Sequence, residues 1–158
     1  MPVNKAHLGR RYGPYLFTVG VESLRDFAAA IGGGVPGRVY ATPPVEAHPW
    51  TWDPEAAASS PYGALVASPG YATLFAIQPF SFACKDPELG LDVLRLLHNG
   101  QELELFGPIR PGDVLRTNGE ITRLQERANL DFIEVTTETV NQRGELVVRA
   151  TWSAVIRN

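Results

Sequence analysis

The chain has 158 residues, of which 44% are hydrophobic and 20% are charged, and its net charge is −3 at pH 7. This balance predicts one globular domain over residues 1–158, with a core of its own, and excludes a disordered chain. The lack of basic runs argues against nucleic acid or an anionic membrane surface as a partner, and no stretch is long enough to cross a bilayer.

The numbers and spacing of cysteine and histidine residues argue against disulfides and metal sites. Cys84 is the single cysteine, so no internal disulfide can form and a reducing compartment is expected. The N-terminus has no apolar leader, which predicts a cytoplasmic protein. The three histidines and the cysteine lack metal-ligand spacing, and no phosphate loop or dinucleotide fingerprint is present, so neither a metal nor a cofactor is predicted.

The first part of the chain predicts a strand and a helix. Residues 1–12 carry three cations and are interpreted as a loose terminus or docking arm, whereas residues 15–21 favour a strand. Residues 22–31 predict an amphipathic helix, because apolar side chains recur at i, i+3, i+4 and i+7. A run of three glycines then ends this helix.

A long irregular stretch follows at residues 35–67, and it contains six prolines. A loop of this length is unusual in a compact domain and is often functional. Its middle reads His48-Pro-Trp-Thr-Trp-Asp53. We expect Trp50 and Trp52 to cover either the core or a ligand, and we interpret His48 and Asp53 as part of that cover rather than as an acid–base pair.

Residues 68–80 are the stretch around which the rest of the chain is organised. Ser68 is placed to cap a helix, Pro69 occupies its first position, and Pro79 is expected to end it. Apolar residues lie on all sides of this segment, and none of them is ionisable apart from the weakly acidic Tyr71. Such a helix is predicted to be buried.

The second half changes to a period of two. Residues 91–97 fit a helix or a strand, and four strands are then predicted, at 98–106, 114–126, 130–140 and 146–156. We expect them to form an antiparallel meander with the helices on one face, which is an α+β domain. A curled sheet around a buried helix indicates a single hotdog fold.

Three stretches carry a resemblance to a known family: Phe27-Ala-Ala-Ala-Ile-Gly-Gly-Gly-Val-Pro36, Ser68-Pro-Gly-Tyr71, and Leu97-His-Asn-Gly-Gln-Glu-Leu-Glu-Leu-Phe-Gly-Pro-Ile-Arg-Pro-Gly-Asp113. Together they resemble the N-terminal domain type of MaoC-like dehydratases, and the non-catalytic subunit of heterodimeric (3R)-hydroxyacyl-acyl-carrier-protein dehydratases. The resemblance implies a hotdog fold, edge-to-edge pairing of two hotdogs, and thioester substrates carried on coenzyme A or acyl carrier protein in fatty acid or polyketide metabolism.

The catalytic members of that family carry a Gly-Asp-x-Asn-Pro-x-His motif after the first long helix. The matching positions here hold Gly33 in place of the aspartate, Val35 in place of the asparagine and Arg38 in place of the histidine. The reaction needs a base for the α-proton and an acid for the leaving hydroxyl, and these side chains supply neither. The resemblance therefore predicts a subunit without catalytic residues of its own.

Binding residues are predicted at the start of the central helix and around it. We expect free backbone N–H groups at Gly70 and Tyr71, which could hold a thioester carbonyl oxygen, as that position does in the family. Trp50, Trp52 and His98 are added as candidate substrate-binding residues. The simpler interpretations are an ordinary helix start and, for His98, an edge or interface histidine bonded to the backbone.

The sequence thus predicts one subunit of a (3R)-hydroxyacyl-thioester dehydratase or enoyl hydratase, which binds the acyl chain and pairs with a catalytic hotdog. A self-sufficient homodimer that uses His98 or His48 is one alternative. A non-enzymatic protein that binds acyl thioesters or acyl carrier protein is another. A thioesterase is disfavoured, because the central helix carries no carboxylate.

Overall fold

The computed structural model describes residues 4–157, and its main element is one antiparallel sheet of five strands. The strands run in the spatial order β1-β3-β4-β5-β2, so the sheet is open and its two edges are β1 and β2. Their bounds are β1 Arg11–Thr18, β2 Leu96–Leu105, β3 Val114–Arg127, β4 Leu130–Val140 and β5 Leu146–Arg157. The predicted α+β hotdog architecture is confirmed.

Within residues 4–157, four short α-helices accompany the sheet. They are α1 Val21–Ile31, α2 Pro54–Ala58, α3 Thr73–Ala76 and α4 Gln78–Lys85. The amphipathic helix expected at 22–31 is α1, which buries Leu24, Ala28 and Ala29. The long loop after it contains a 3-10 turn at Pro49–Thr51 as well as α2, so it is less irregular than its prolines indicated.

The central helix is buried but longer than expected. It starts as a 3-10 turn at Pro69–Ala72 and continues through α3 and α4 to Lys85. The expected end at Pro79 is therefore wrong: this proline lies in the first turn of α4, where the missing N–H costs little. Leu74 and Phe82 are exposed, so the segment is not covered on every side.

The sheet curls around this helix, and the two form a single core. Tyr71, Phe75 and Phe80 from the helical segment pack with the fully buried Trp152 of β5. The Trp152 indole N–H donates to Thr137 Oγ1 at 3.1 Å, so its polar atom is satisfied inside the core. At Gly119 of β3, an added Cβ would lie 2.4 Å from Pro79 Cβ, which shows how closely sheet and helix approach.

Strand order departs from the expected four-strand meander. Only β3, β4 and β5 are consecutive neighbours, whereas β2 pairs with β5 at the far edge. The connection after β2 must therefore cross the domain to reach β3, which adjoins β1 at the other edge. The first strand also lies earlier than expected, at 11–18 rather than 15–21, and the ambiguous residues 91–97 form a 3-10 turn that leads into β2.

The described part of the N-terminal arm is tied to the domain. The Gly9 amide donates to the Ile121 carbonyl at 2.9 Å, and Arg10 pairs with Asp86 at 3.1 Å. Residues 1–3 of the predicted arm lie outside the described residues. Among the helices of residues 4–157, none is long and apolar enough to span a membrane.

Candidate functional site

A cavity of about 540 Å³ lies where the tryptophan-bearing loop, the start of the central helix and the end of β2 meet. Most of its lining is apolar or aromatic, and none of the lining side chains is a carboxylate, a lysine or an arginine. The lining residues are His48, Trp50, Thr51, Tyr62, Val66, Ala67, Ser68, Pro69, Leu105, Phe106, Gly107, Pro108 and Ile109. Its size and lining are typical of small-molecule sites.

Trp50 forms one wall of this cavity. Its ring contacts His48 at a centroid distance of 4.5 Å and Tyr62 at 5.9 Å, both edge to face. His48 Nδ1 accepts a hydrogen bond from the Trp50 amide at 3.3 Å, which fixes the 3-10 turn that presents the indole. A cavity thus lies beside this tryptophan, for which the sequence predicts contact with either the core or a ligand.

Ser68 is one of the polar residues of the lining, together with His48, Thr51 and Tyr62. It occupies the N-cap position that the sequence indicates, but its side chain makes no capping hydrogen bond. Its Oγ is buried and has no hydrogen-bond partner within residues 4–157. A buried hydroxyl without a partner costs about 1–3 kcal/mol, so Ser68 Oγ is an unsatisfied polar atom next to the cavity.

The two backbone amides predicted as binding groups differ. The Tyr71 amide donates to the Ser68 carbonyl at 3.0 Å, so the expectation of a free N–H there is wrong. The Tyr71 side chain is fully buried in the core and its hydroxyl pairs with Ser23 Oγ at 2.8 Å. Burial raises the pKa of this hydroxyl, although the bond with Ser23 opposes the shift. The binding role of the Gly70 amide remains a prediction.

Trp52 and His98 do not line the cavity. The Trp52 carbonyl accepts from Arg25 Nε at 3.2 Å, and its indole nitrogen is buried without a partner among the described residues. His98 is exposed on the edge strand β2, and its Nε2 lies 2.9 Å from the Gly100 carbonyl oxygen. This geometry matches the interpretation of His98 as an edge histidine bonded to the backbone.

The positions that correspond to the family's catalytic motif are exposed. Gly33 has a φ of +74°, a backbone conformation that favours glycine over aspartate. Val35 and Arg38 are likewise at the surface. His48 and Asp53 do not meet, because the Asp53 carboxylate accepts from the Glu55 amide at 2.9 Å and caps α2.

No ion pair within residues 4–157 joins a histidine to a carboxylate. The same residues contain no group of three or more potential metal-binding side chains. Cys84 is buried, and burial raises the pKa of its thiol to about 12, against the attraction of Lys85. A thiol with this pKa is an inert core residue.

Sequence reasoning missed several walls of the cavity. Ser68 is predicted as a helix cap and lies in a stretch that carries the resemblance, but no binding role is predicted for it, although it lines the cavity. Tyr62, Phe106 and Ile109 received no role, because nothing local in the sequence brings residue 62 next to residues 105–109. Phe106 and Ile109 lie in the stretch 97–113 that carries the family resemblance, and this resemblance is the signal that could have pointed to them.

Comparisons with known proteins agree with this architecture. The model of a family described as FAS1-like, dehydratase domain region, matches residues 6–150. A UPF0336 protein of Saccharopolyspora erythraea is 34% identical over 158 residues, which cover 99% of this chain and 93% of the relative.

Two solved structures are similar over almost the full length. The HadBC (3R-hydroxyacyl-ACP dehydratase) complex of Mycobacterium tuberculosis contains a chain with a TM-score of 0.74 and 27% identity, over 94% of this chain and 96% of that chain. A MaoC-like dehydratase from Rhodospirillum rubrum gives a TM-score of 0.66 at 25% identity, over 96% of this chain and 92% of that chain.

Proposed function

The chain belongs to the FAS1-like dehydratase region family, and we propose that it is the acyl-binding, catalytically silent subunit of a (3R)-hydroxyacyl-thioester dehydratase. Its predicted resemblance to MaoC-like dehydratases is confirmed by the solved structures. The observation that carries the proposal is the apolar cavity, with the unpartnered Ser68 hydroxyl, in a chain that lacks the family's acid–base residues.

The cavity supports binding of an acyl thioester. Its aromatic and aliphatic walls, among them Trp50, Phe106 and Ile109, would bury an acyl chain that is costly to leave in water. Ser68 Oγ–H would donate to the thioester carbonyl or to an amide of the carrier arm. The substrate class is thus a thioester on coenzyme A or acyl carrier protein.

The lack of an acid and a base at the motif positions is the argument for a second, catalytic subunit. Dehydration needs a base that removes the α-proton and an acid that protonates the departing hydroxyl. Gly33 and Val35 have no ionisable group, and the guanidinium of Arg38 stays protonated, so it cannot act as the base. In this proposal a catalytic hotdog supplies the aspartate and the histidine.

The free edge of strand β2 is where we propose that this partner attaches. The strand has one neighbour, β5, so its outer edge is unpaired within the described chain. Leu97 is 71% exposed on this strand, and Leu94 just before it is 93% exposed. An exposed apolar edge is an aggregation hazard unless another chain covers it, and a hotdog partner would continue the sheet there.

Hydration of crotonyl-coenzyme A and of a medium-chain enoyl-coenzyme A tests the proposal. The purified chain is expected to show no turnover alone. Co-purification with a small hotdog protein that carries Gly-Asp-x-Asn-Pro-x-His, encoded beside it, is expected to restore turnover. Robust activity of the chain alone would contradict the silent role, and that result followed by loss in His48→Ala or His98→Ala would favour the homodimer.

The hydroxyl of Ser68 gives a second test in the assembled enzyme. Ser68→Ala is expected to lower kcat/KM by about tenfold, because one buried hydrogen bond to the substrate is lost. Ser153→Ala, on strand β5 and away from the cavity, is the matched control and should leave the rate unchanged. Equal rates for both variants would remove Ser68 from the binding site.

A further inference from the structure

Two arginines lie against aromatic residues of the cavity wall. The guanidinium carbon of Arg110 lies 6.0 Å from the centroid of the Tyr62 ring, and that of Arg149 lies 5.3 Å from the Phe106 ring. Tyr62 and Phe106 both line the cavity, so these cations stand at its rim although neither lines the interior. The rim therefore carries guanidinium groups, whereas the lining of the cavity has no charged carboxylate, lysine or arginine side chain.

The two arginines differ in what else they bind. Arg149 is committed to Glu138, with Nε and Nη2 at 3.0 and 2.9 Å from the carboxylate oxygen Oε1. Arg110 has no ion pair within residues 4–157, and its Nη1 donates to the Tyr62 carbonyl at 2.8 Å. That bond and the ring contact hold the guanidinium in place while its remaining N–H groups stay available.

We propose that Arg110 binds the phosphate of a 4′-phosphopantetheine arm whose thioester end lies in the cavity. This inference rests on the proposed function, and it names the group that the two carriers share. A planar guanidinium with several free donors, already oriented by an aromatic ring, suits a phosphate. No carboxylate lines the cavity to repel the anion.

The test compares ligands that differ only in the phosphate. Calorimetry measures binding of octanoyl-4′-phosphopantetheine and octanoyl-pantetheine to the full chain. The phosphate is expected to tighten binding by about fivefold, as one exposed charge contact allows. In the wild-type chain, added salt should weaken binding of the phosphorylated ligand and leave the other unchanged.

Arg110→Met is expected to remove the advantage of the phosphate and to leave octanoyl-pantetheine binding unchanged. Arg116→Met is the matched control, because Arg116 is an exposed arginine of β3 without an ion pair in the described chain. Arg110→Gln, which removes the charge but keeps a polar side chain, replaces Arg110→Met if that variant does not fold, and an unchanged advantage of the phosphate in the folded variant would overturn the role of Arg110.

Each outcome has one meaning. Equal affinity for both octanoyl ligands overturns the role of Arg110 and leaves the acyl-binding subunit intact. Failure of both ligands to bind overturns the role of Arg110 and the acyl-binding role of this cavity. Octanoyl-coenzyme A and octanoyl-acyl carrier protein then identify the carrier: both should bind more weakly to Arg110→Met, because they share the phosphate, and the natural carrier should bind the wild-type chain more tightly than the other does.

Discussion

The two edges of the sheet are built in opposite ways. On β1, Pro14 offers no N–H, the pairing with β3 is irregular between Tyr12 and Tyr15, and Tyr15 stacks on Phe82 of α4 at 4.7 Å. On β2, nine of the ten residues pair with β5, with one irregularity between His98 and Gly100, and exposed residues lie on both faces. The β1 edge carries a proline and packs against α4, whereas the β2 edge is the one at which we propose that a second chain attaches.

Glycines beside the two edges provide the largest contrast. Gly119 of β3, the neighbour of β1, faces Pro79 so closely that Gly119→Val should destabilise the domain by about 3 kcal/mol through overpacking. Gly100 of β2 has nothing within 4 Å of an added Cβ, so Gly100→Val should change stability by less than about 0.5 kcal/mol. Urea unfolding measures both, and equal values would contradict the close contact of sheet and helix.

Substitution of two equally exposed leucines, one on each edge strand, tests which edge binds the partner. Leu16 on β1 and Leu97 on β2 are each 71% exposed. Leu97→Lys should weaken association with the catalytic partner by about tenfold or more, because a side chain buried at the contact is replaced by a charge. Leu16→Lys should leave association unchanged. Ultracentrifugation of the mixed subunits measures this, and equal behaviour of the two variants would mean that β2 is not the contact.

The smallest effect concerns the polar contacts that close the β1 edge. The Tyr12 hydroxyl donates to Asp86 Oδ2 at 2.8 Å, and Arg10 pairs with the same oxygen at 3.1 Å. Burial alone would raise the pKa of the Asp86 carboxyl, but hydrogen bonds from Tyr12 and the Glu88 amide, with the charge of Arg10, bring it below its ordinary value.

Because the pKa of Asp86 is lowered by folding, its contribution to stability is present above the unfolded value and is lost as the pH falls through the folded one. Tyr12→Phe should cost about 1 kcal/mol at pH 7, and the difference from wild type should shrink below about pH 4. Tyr15→Phe, on the same strand and without a hydroxyl partner in the described chain, is the control. A difference that persists at low pH would mean that Tyr12 acts through packing instead.

Periodicity predicted most elements of this fold because their causes are local. Helix α1 follows from apolar spacing, and β3, β4 and β5 follow from alternation and from the turns between them. The neighbour of β2 could not be predicted from the same signals, since its pairing with β5 joins residues far apart in the chain, such as Leu97 and Val155, which are 58 positions apart. The rule that proline ends a helix predicted a helix end at Pro79, but this proline lies in the first turn of α4.

The site was predictable only in part, for a similar reason. Trp50 was chosen because an indole in a proline-rich loop needs a contact, and it does line the cavity. Tyr71 was chosen for its amide, but a short 3-10 turn uses that amide internally. The proposed role of Ser68 depends on its hydroxyl making no capping hydrogen bond. The sequence alone cannot show which polar atoms remain unpaired.

Leu105 and Phe106 belong to two features at once: they line the cavity, and they stand at the end of the edge strand β2. A chain that covers this edge would also border the cavity, so ligand and partner would share part of their contacts. Thermodynamic linkage then requires reciprocity, in which the ligand strengthens assembly by the same factor as assembly strengthens ligand binding. In the assembly that we propose, binding of the acyl chain to this subunit would thereby also strengthen its contact with the catalytic subunit.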